Sequence, residues 1–389
     1  MTAPPAPDGH PVERDHIEFS GSPAPTLGVE WEFALVDKVT GELSNSAAAL
    51  FEKVVAHDDP ALQQRVHREL LRNTVELVTG VCTTTGEAIS DLRGTLRIVS
   101  EMADEIGVDL FGAGTHPYGE WSTQQLTDSP RYAELIERTQ WWGRQMLIWG
   151  VHVHVGIDRQ EKVLPIVNAL LAFYPHLLAL SASSPMWSGT DTGYASNRAM
   201  MFQQLPTAGL PFQFTTWEQF EAFVADQKTT GIIDDINEVR WDIRPSPRLG
   251  TVEVRVCDGV SSLTELGAIV ALIHCLVVDL DDQFTAGTLP REMAPWLVQE
   301  NKWRAARYGL DAVIITDADC SERLVTDDLA DILTRLAPTA ARLGCTDELA
   351  SVWSIVTGKA SYQRQRAVLE RTGSMFDVVA AVVAELDRG

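Results

Sequence analysis

Five short segments repeat one design, and that repetition constrains the fold more than any other feature of the chain. In Gly28-Val29-Glu30-Trp31-Glu32-Phe33, two carboxylates stand two residues apart in a strand-like run. Side chains of a strand alternate between faces, so Glu30 and Glu32 share one face while Val29, Trp31, Phe33 and Leu35 form the other. Val151-His152-Val153-His154-Val155 sets two imidazoles against three valines. Thr251-Val252-Glu253-Val254-Arg255-Val256 sets Thr251, Glu253 and Arg255 against three more. Val75-Glu76-Leu77-Val78 is a shorter version with one acid, and Trp241-Asp242-Ile243-Arg244 puts Asp242 and Arg244 on a common face. Strands of a parallel sheet are buried on both sides and read as continuous apolar runs; this alternation belongs to an antiparallel sheet covered on one face. Helices would rest on the apolar side, and ligand-type groups would line the other.

The remaining segments read mainly as helix. Residues 46–71 are helical with a break near Asp58-Asp59-Pro60, and Thr84 with Glu87 has capping-box spacing before an apolar stripe that ends near Ile106. A strand is expected over 109–112. Ser129-Pro130 opens a helix to about Leu147, and an apolar helix spans Glu161 to Ser181. Thr215 with Glu218 and Ser262 with Glu265 cap two further helices, the second covering Leu266–Leu280. Residues 183–215 are aperiodic and rich in Ser, Gly, Pro and Asn. Their aromatic and methionine content favours an ordered lid or binding loop. Segments bearing ligand-type residues run from 28 to 257 without strict βαβ alternation. The reading is one α+β domain over residues 25–389, preceded by a flexible tail over 1–24.

Charge and cysteine content narrow the function. A net charge of −23 argues against nucleic acid and anionic membrane as partners, since both need basic surface. The five cysteines are scattered, odd in number and without a CxxC pair, which suits a reduced, cytoplasmic protein and argues against a zinc cluster. Leu266–Leu280 is too short to span a bilayer and reads as a buried core helix.

Two carboxylates on one strand face repel, and their complement is a cation. The set Glu30, Glu32, Glu76 and Glu253 with one histidine is oxygen-dominated, which favours Mg²⁺ or Mn²⁺ over Zn²⁺. Mg²⁺ usually meets the phosphates of a nucleotide. Arg255 then lies beside the metal, placed to stabilise a phosphoryl group in transfer, and Arg198 could clamp a carboxylate or phosphate. No phosphate-loop motif is present: Gly112-Ala113-Gly114 is followed by Thr115-His116-Pro117 and not by a Gly-Lys-Ser helix start. A rival reading takes His152 and His154 as zinc ligands of a metal-dependent barrel hydrolase, but that fold needs eight strand–helix repeats and further ligands at later strands. His116 reads as a loop histidine, His274 as a core-helix histidine, and Trp141-Trp142 as packing.

Taken together, the segments resemble glutamate–cysteine ligase family type 2, the carboxylate–amine ligase branch. The resemblance rests on residues 27–33, 75–79, 112–117, 150–156, 251–255 and Ser196-Asn197-Arg198, and it covers roughly residues 26–380. It implies a glutamine-synthetase-like curved antiparallel sheet, a funnel with helices packed on its outer face. It also implies an ATP-dependent ligase that activates the γ-carboxylate of glutamate as an acyl phosphate and joins it to an amine, typically that of cysteine. Glu30, Glu32, Glu76, His152 and Glu253 fall at the Mg²⁺ ligand positions, with Glu69 at a further acidic one. Arg255 matches the phosphate-contacting arginine and joins Glu253 as a catalytic group. His154, Asn197, Arg198 and Arg244 fall on the substrate or ATP side. The amine pocket has no match in the sequence, and oligomeric state, a homodimer included, is open.

Overall fold

The computed structural model describes residues 16–23 and 25–386. Eleven strands occur among them: β1 Leu27–Asp37, β2 Val66–Arg68, β3 Thr74–Val78, β4 Val108–Phe111, β5 Gly150–Gly156, β6 Met186–Trp187, β7 Thr190–Asp191, β8 Ile243–Ser246, β9 Thr251–Asp258, β10 Val313–Ile315 and β11 Glu322–Leu324. Seven form the main sheet in the order β2-β3-β1-β5-β9-β8, with β4 alongside the end of β1, and every described pairing in it is antiparallel. The chain is α+β, as the alternation predicts, and no parallel strand–helix barrel exists among the described residues to support the hydrolase alternative.

The apolar faces are buried as expected. Trp31, Phe33, Leu35, Val75, Leu77, Val151, Val153, Val155, Val252 and Val254 are all 0% exposed. Helices Thr85–Glu105, Gln160–Leu170, Tyr174–Ser181 and Leu263–Ala286 cover them. Burying a side chain of this size is worth about 1.5–3 kcal/mol. Ten such residues therefore outweigh the repulsion that accompanies acids on the opposite face, and the charged face is tolerated because the apolar face sets the strand orientation. The core helix runs for 24 residues, Leu263–Ala286, longer than the 266–280 reading. Its length and composition suit a membrane span, but 78% of its most apolar window is buried inside the protein, so it is the central core helix. The sequence reading stopped at its contiguous apolar run and missed the turns at each end that carry Glu265, Asp281 and Asp282.

Several local expectations need correction. The apolar helix over 161–181 is two helices bent by 64°, with Pro175, which lacks an N–H, in the first turn of the second. The helix at 215 is capped by Thr216 with Gln219, one residue later than read. The helix from Pro130 ends at Arg144 and is interrupted at Gln140 (φ 50°). Trp141 and Trp142 do pack, edge-on against each other and, for Trp141, against Trp121, but at the surface, where they are 52% and 44% exposed. The expected tail lies largely outside the described residues. Its described part, 16–23, is tied down: Ser20 N–H donates to Pro247 O at 3.0 Å, Ser22 N–H to Ile157 O at 2.9 Å, and Phe19 packs edge-on against Trp217. His274 is a buried core-helix histidine bonded to Pro25 O, as read. His116 is a loop residue but fully interior, and burial pulls its pKa down to about 4.

Candidate functional site

Sheet register brings the alternating polar groups into one row. Glu32 lies opposite Glu76, Glu30 opposite His152, His154 opposite Glu253, and Glu253 opposite Arg244. A bulge in β9 between the residues paired with Val151 and Val153 inserts an extra residue at the position of Arg255, and bulges re-aim side chains in this way. The row opens on a cavity of about 370 Å³. Glu30, Glu32, Glu69, Glu76 and His152 line it together with Arg131, Arg198, Arg240, Arg244 and Arg255.

Glu30 is the hub of the acidic wall. Its Oε2 lies 2.7 Å from His152 Nδ1 and its Oε1 3.1 Å from His154 Nε2. Burial opposes its charge, but the two imidazoles outweigh burial and hold its pKa well below the usual carboxylate range. Carboxylate oxygens of Glu32, Glu69 and Glu76 lie within 4.8 Å of one another, as do ligand atoms of Glu30, Glu76 and His152. Burial, and then the neighbouring carboxylates, push Glu69 up to about 8 and Glu76 well above its ordinary value. Hard oxygen donors crowded to the point of retaining protons fit a divalent cation such as Mg²⁺.

This crowding has a stability consequence. A carboxyl whose folded pKa is raised binds a proton more tightly in the native state, so stability present at acid pH is lost as pH rises from the unfolded value near 4.5 through about 8. The metal-free protein should therefore lose stability across that window, and Glu69→Gln should flatten the loss. Denaturation midpoints at pH 5, 7 and 9 without added cation would check this; identical slopes in the two proteins would refute it.

Behind the cavity lining, Glu253 is 1% exposed. It accepts from Arg244 Nε at 2.6 Å and Nη2 at 3.2 Å, and from Arg255 Nη1. Glu253 and His154 do not line the cavity; they lie behind Glu30 and the arginines, with His154 Nδ1 2.9 Å from Thr251 Oγ1. Asn197 also stands apart, its amide donating to Ser184 O and Thr192 Oγ1 at 2.7 and 2.8 Å. Asp242 precedes β8 and does not share a site with Arg244: it accepts from Lys302 Nζ at 2.7 Å and Tyr174 Oη at 3.0 Å in the core. The cavity adds Arg131, Tyr132, Asn237 and Arg240, none of which sits in an alternating segment, so no pattern in the sequence marks them.

Arg198 stands in a segment tied to the core by hydrogen bonds. The buried Asp258 carboxylate accepts from Ser183 N at 3.0 Å, Ser184 Oγ at 2.6 Å and Ser196 Oγ at 2.8 Å, which anchors the 183–198 segment. The Arg198 guanidinium donates to Arg255 O at 3.2 Å, and a Cβ on Gly150 would overlap it. Gly150→Ala should displace Arg198 and lower kcat/KM by up to about 100-fold, the scale of a displacement of about 1 Å in a site. Steady-state kinetics alongside a melting curve would check this, and unchanged kinetics would show that Arg198 is not used.

Comparison with known proteins places this geometry in context. Residues 26–381 match glutamate–cysteine ligase family 2. A Mycobacterium ulcerans protein, provisionally named glutamate–cysteine ligase 2, is 66% identical over 374 residues, 96% of this chain and 94% of its own length. Among solved structures, the glutamate–cysteine ligase of Francisella tularensis in complex with AMP superposes with a TM-score of 0.65 at 13% identity, covering 95% of this chain and 90% of that one. A bifunctional glutathione synthetase of Pasteurella multocida gives 0.65 at 14% identity over 94% of this chain and 52% of its own. At such identities the two structures speak for the fold alone.

Proposed function

The chain belongs to glutamate–cysteine ligase family 2, and we propose that it is an ATP-dependent carboxylate–amine ligase that joins the γ-carboxylate of glutamate to an amine, with cysteine the expected amine. The observation that carries the reading is the two-signed cavity, lined by four carboxylates and five arginines. Carboxylates alone would hold a cation, and arginines alone an anion. Both together suit a reaction that brings nucleotide phosphates, their metal and an acyl carboxylate into one place.

Glu32, Glu69 and Glu76, with Glu30 and His152, are the groups that would hold Mg²⁺. When bound, the ion neutralises phosphate charge during transfer. The chain's own residues do the rest. Arg255, beside His152 and backed by Glu253, faces the position where charge develops on the transferring phosphoryl group. Arg198 and Arg244 present fixed positive charge to the same space. The acyl phosphate formed when the carboxylate attacks the γ-phosphorus and ADP leaves is a mixed anhydride. Amine attack at its carbonyl carbon then expels phosphate and forms the amide. The half-buried cavity limits water, which would otherwise hydrolyse that anhydride.

Incubation with ATP, Mg²⁺, glutamate and hydroxylamine should yield hydroxamate and ADP in equal amounts. Replacing hydroxylamine by a panel of amines then identifies the physiological class. Absence of ADP release with glutamate across that panel would overturn the proposal.

A further inference from the structure

The Gly112-Ala113-Gly114 stretch, which is no phosphate loop, closes on the end of β9. A Cβ on Gly114 would overlap the Asp258 carboxylate, and one on Gly112 would overlap Val260 O. Glycine at both places lets the loop lie directly against Asp258, which is 0% exposed and does not line the cavity. Gly114 N–H donates to Ser183 Oγ at 2.8 Å, and Ser183 Oγ donates onward to Gly259 O at 2.6 Å. A buried carboxylate is costly unless hydrogen-bonded. The donors to this one, Ser183 N, Ser184 Oγ and Ser196 Oγ, all come from the segment that leads into Arg198.

The two hydroxyls do more than satisfy Asp258. A hydroxyl has one proton, so once it donates to the carboxylate its oxygen is left as an acceptor. Ser184 Oγ accepts from Arg198 N at 3.1 Å, and Ser196 Oγ accepts from Ala199 N at 3.2 Å. Both N–H groups lie in the first turn of the helix Asn197–Phe202, where no carbonyl of the helix can reach them, and Ser196 is its N-cap. From that turn the Arg198 side chain crosses the backbone of β9, with Nη1 3.2 Å from Arg255 O and 3.4 Å from Val256 O. We infer that Asp258 is a positioning residue for Arg198: it orients the Ser184 and Ser196 hydroxyls, and their oxygens set the backbone from which the guanidinium reaches the cavity. The effect on rate rests on the ligase reading; the effect on the Arg198 backbone does not.

Asp258→Asn keeps the shape but replaces one acceptor oxygen by a donor, so the three bonds cannot all form. It should lower kcat/KM for ADP release with ATP, glutamate and hydroxylamine by about 10- to 100-fold, the scale of a misplaced site group. Ser184→Ala, which removes the acceptor for Arg198 N–H, should act in the same direction. In an Arg198→Ala background Asp258→Asn should cause no further loss, because residues that act as a unit are not additive. Ser183→Ala breaks hydrogen bonds of the same core but spares both hydroxyl bridges, so it should lower the melting temperature with little change in kinetics. Multiplied losses in the double variant, or an equal kinetic loss in Ser183→Ala, would make Asp258 merely structural and overturn the inference. Amide exchange of residues 197–202, followed by mass spectrometry, reads the positioning without turnover. It should quicken in Asp258→Asn and Ser184→Ala and not in Ser183→Ala; unchanged exchange also overturns the inference. Where Asp258→Asn fails to fold, Ser184→Ala carries the same comparisons. Absence of turnover in the wild-type protein would sink the ligase reading and leave the exchange result to decide the role of Asp258.

Discussion

Protein carrying Glu253→Gln is expected to lose turnover by about 100- to 1000-fold, the scale of a removed electrostatic stabiliser, and to lose about 3–5 kcal/mol of stability, as when one partner of a buried ion pair is deleted. The side chain is 1% exposed and receives two guanidinium groups. Burial alone would raise its pKa, but Arg255, Arg244 and His154 pull it well below the usual carboxylate range, so the native state contains the anion. Glutamine keeps the shape, removes the charge and turns one acceptor into a donor that faces a guanidinium. Arg244 and Arg255 are then left as neighbouring cations with no shared anion. Urea denaturation and ADP release measure the two effects separately. The Mg²⁺ dependence decides how Glu253 acts: an unchanged half-saturating concentration with reduced kcat assigns it to seating the arginines, whereas a raised one assigns it to the metal. Wild-type stability together with wild-type kcat would sink both roles.

Arg255→Ala should slow ADP release by about 3 kcal/mol or more in activation free energy, with a smaller loss of stability than Glu253→Gln. The asymmetry follows from the contacts. Removing Arg255 leaves Glu253 with its two bonds from Arg244, while removing the Glu253 charge strands two cations. Arg255 Nη1 lies 3.4 Å from His152 Nδ1, and its Nε is buried without a hydrogen-bond partner. Lysine at this position should recover little, because a point charge does not reproduce a planar, two-pronged donor. An unchanged rate in Arg255→Ala would reduce the residue to a structural ion-pair partner.

Much of the acidic wall was legible in the sequence because strand alternation is local. Glu30-x-Glu32, the lone Glu76 and the Val-His-Val-His-Val run each state which side chains share a face, and the buried partners at 0% exposure agree. The arginine wall was half legible. Arg244 and Arg255 lie in alternating segments, but Arg131 follows a helix-start proline and Arg240 precedes a strand, and neither position has a pattern that distinguishes a cavity residue from a solvated one. Asp242 shows the converse error: alternation placed it beside Arg244, yet the strand begins one residue later and a buried lysine from a distant helix takes it.

The sequence by itself determined the faces: which residues of each strand are apolar, which carry charge, and hence that an antiparallel sheet with one covered side would form. Tertiary structure alone decided who meets whom. Glu30 and His152 are 122 residues apart, and only the antiparallel register of β1 and β5 makes them partners. The same register buries Glu253 behind the arginines, while Arg255 lines the cavity. The physical reason is a difference in range. Alternation follows from backbone geometry over two residues, whereas register is set by packing the whole apolar face, which no local pattern encodes.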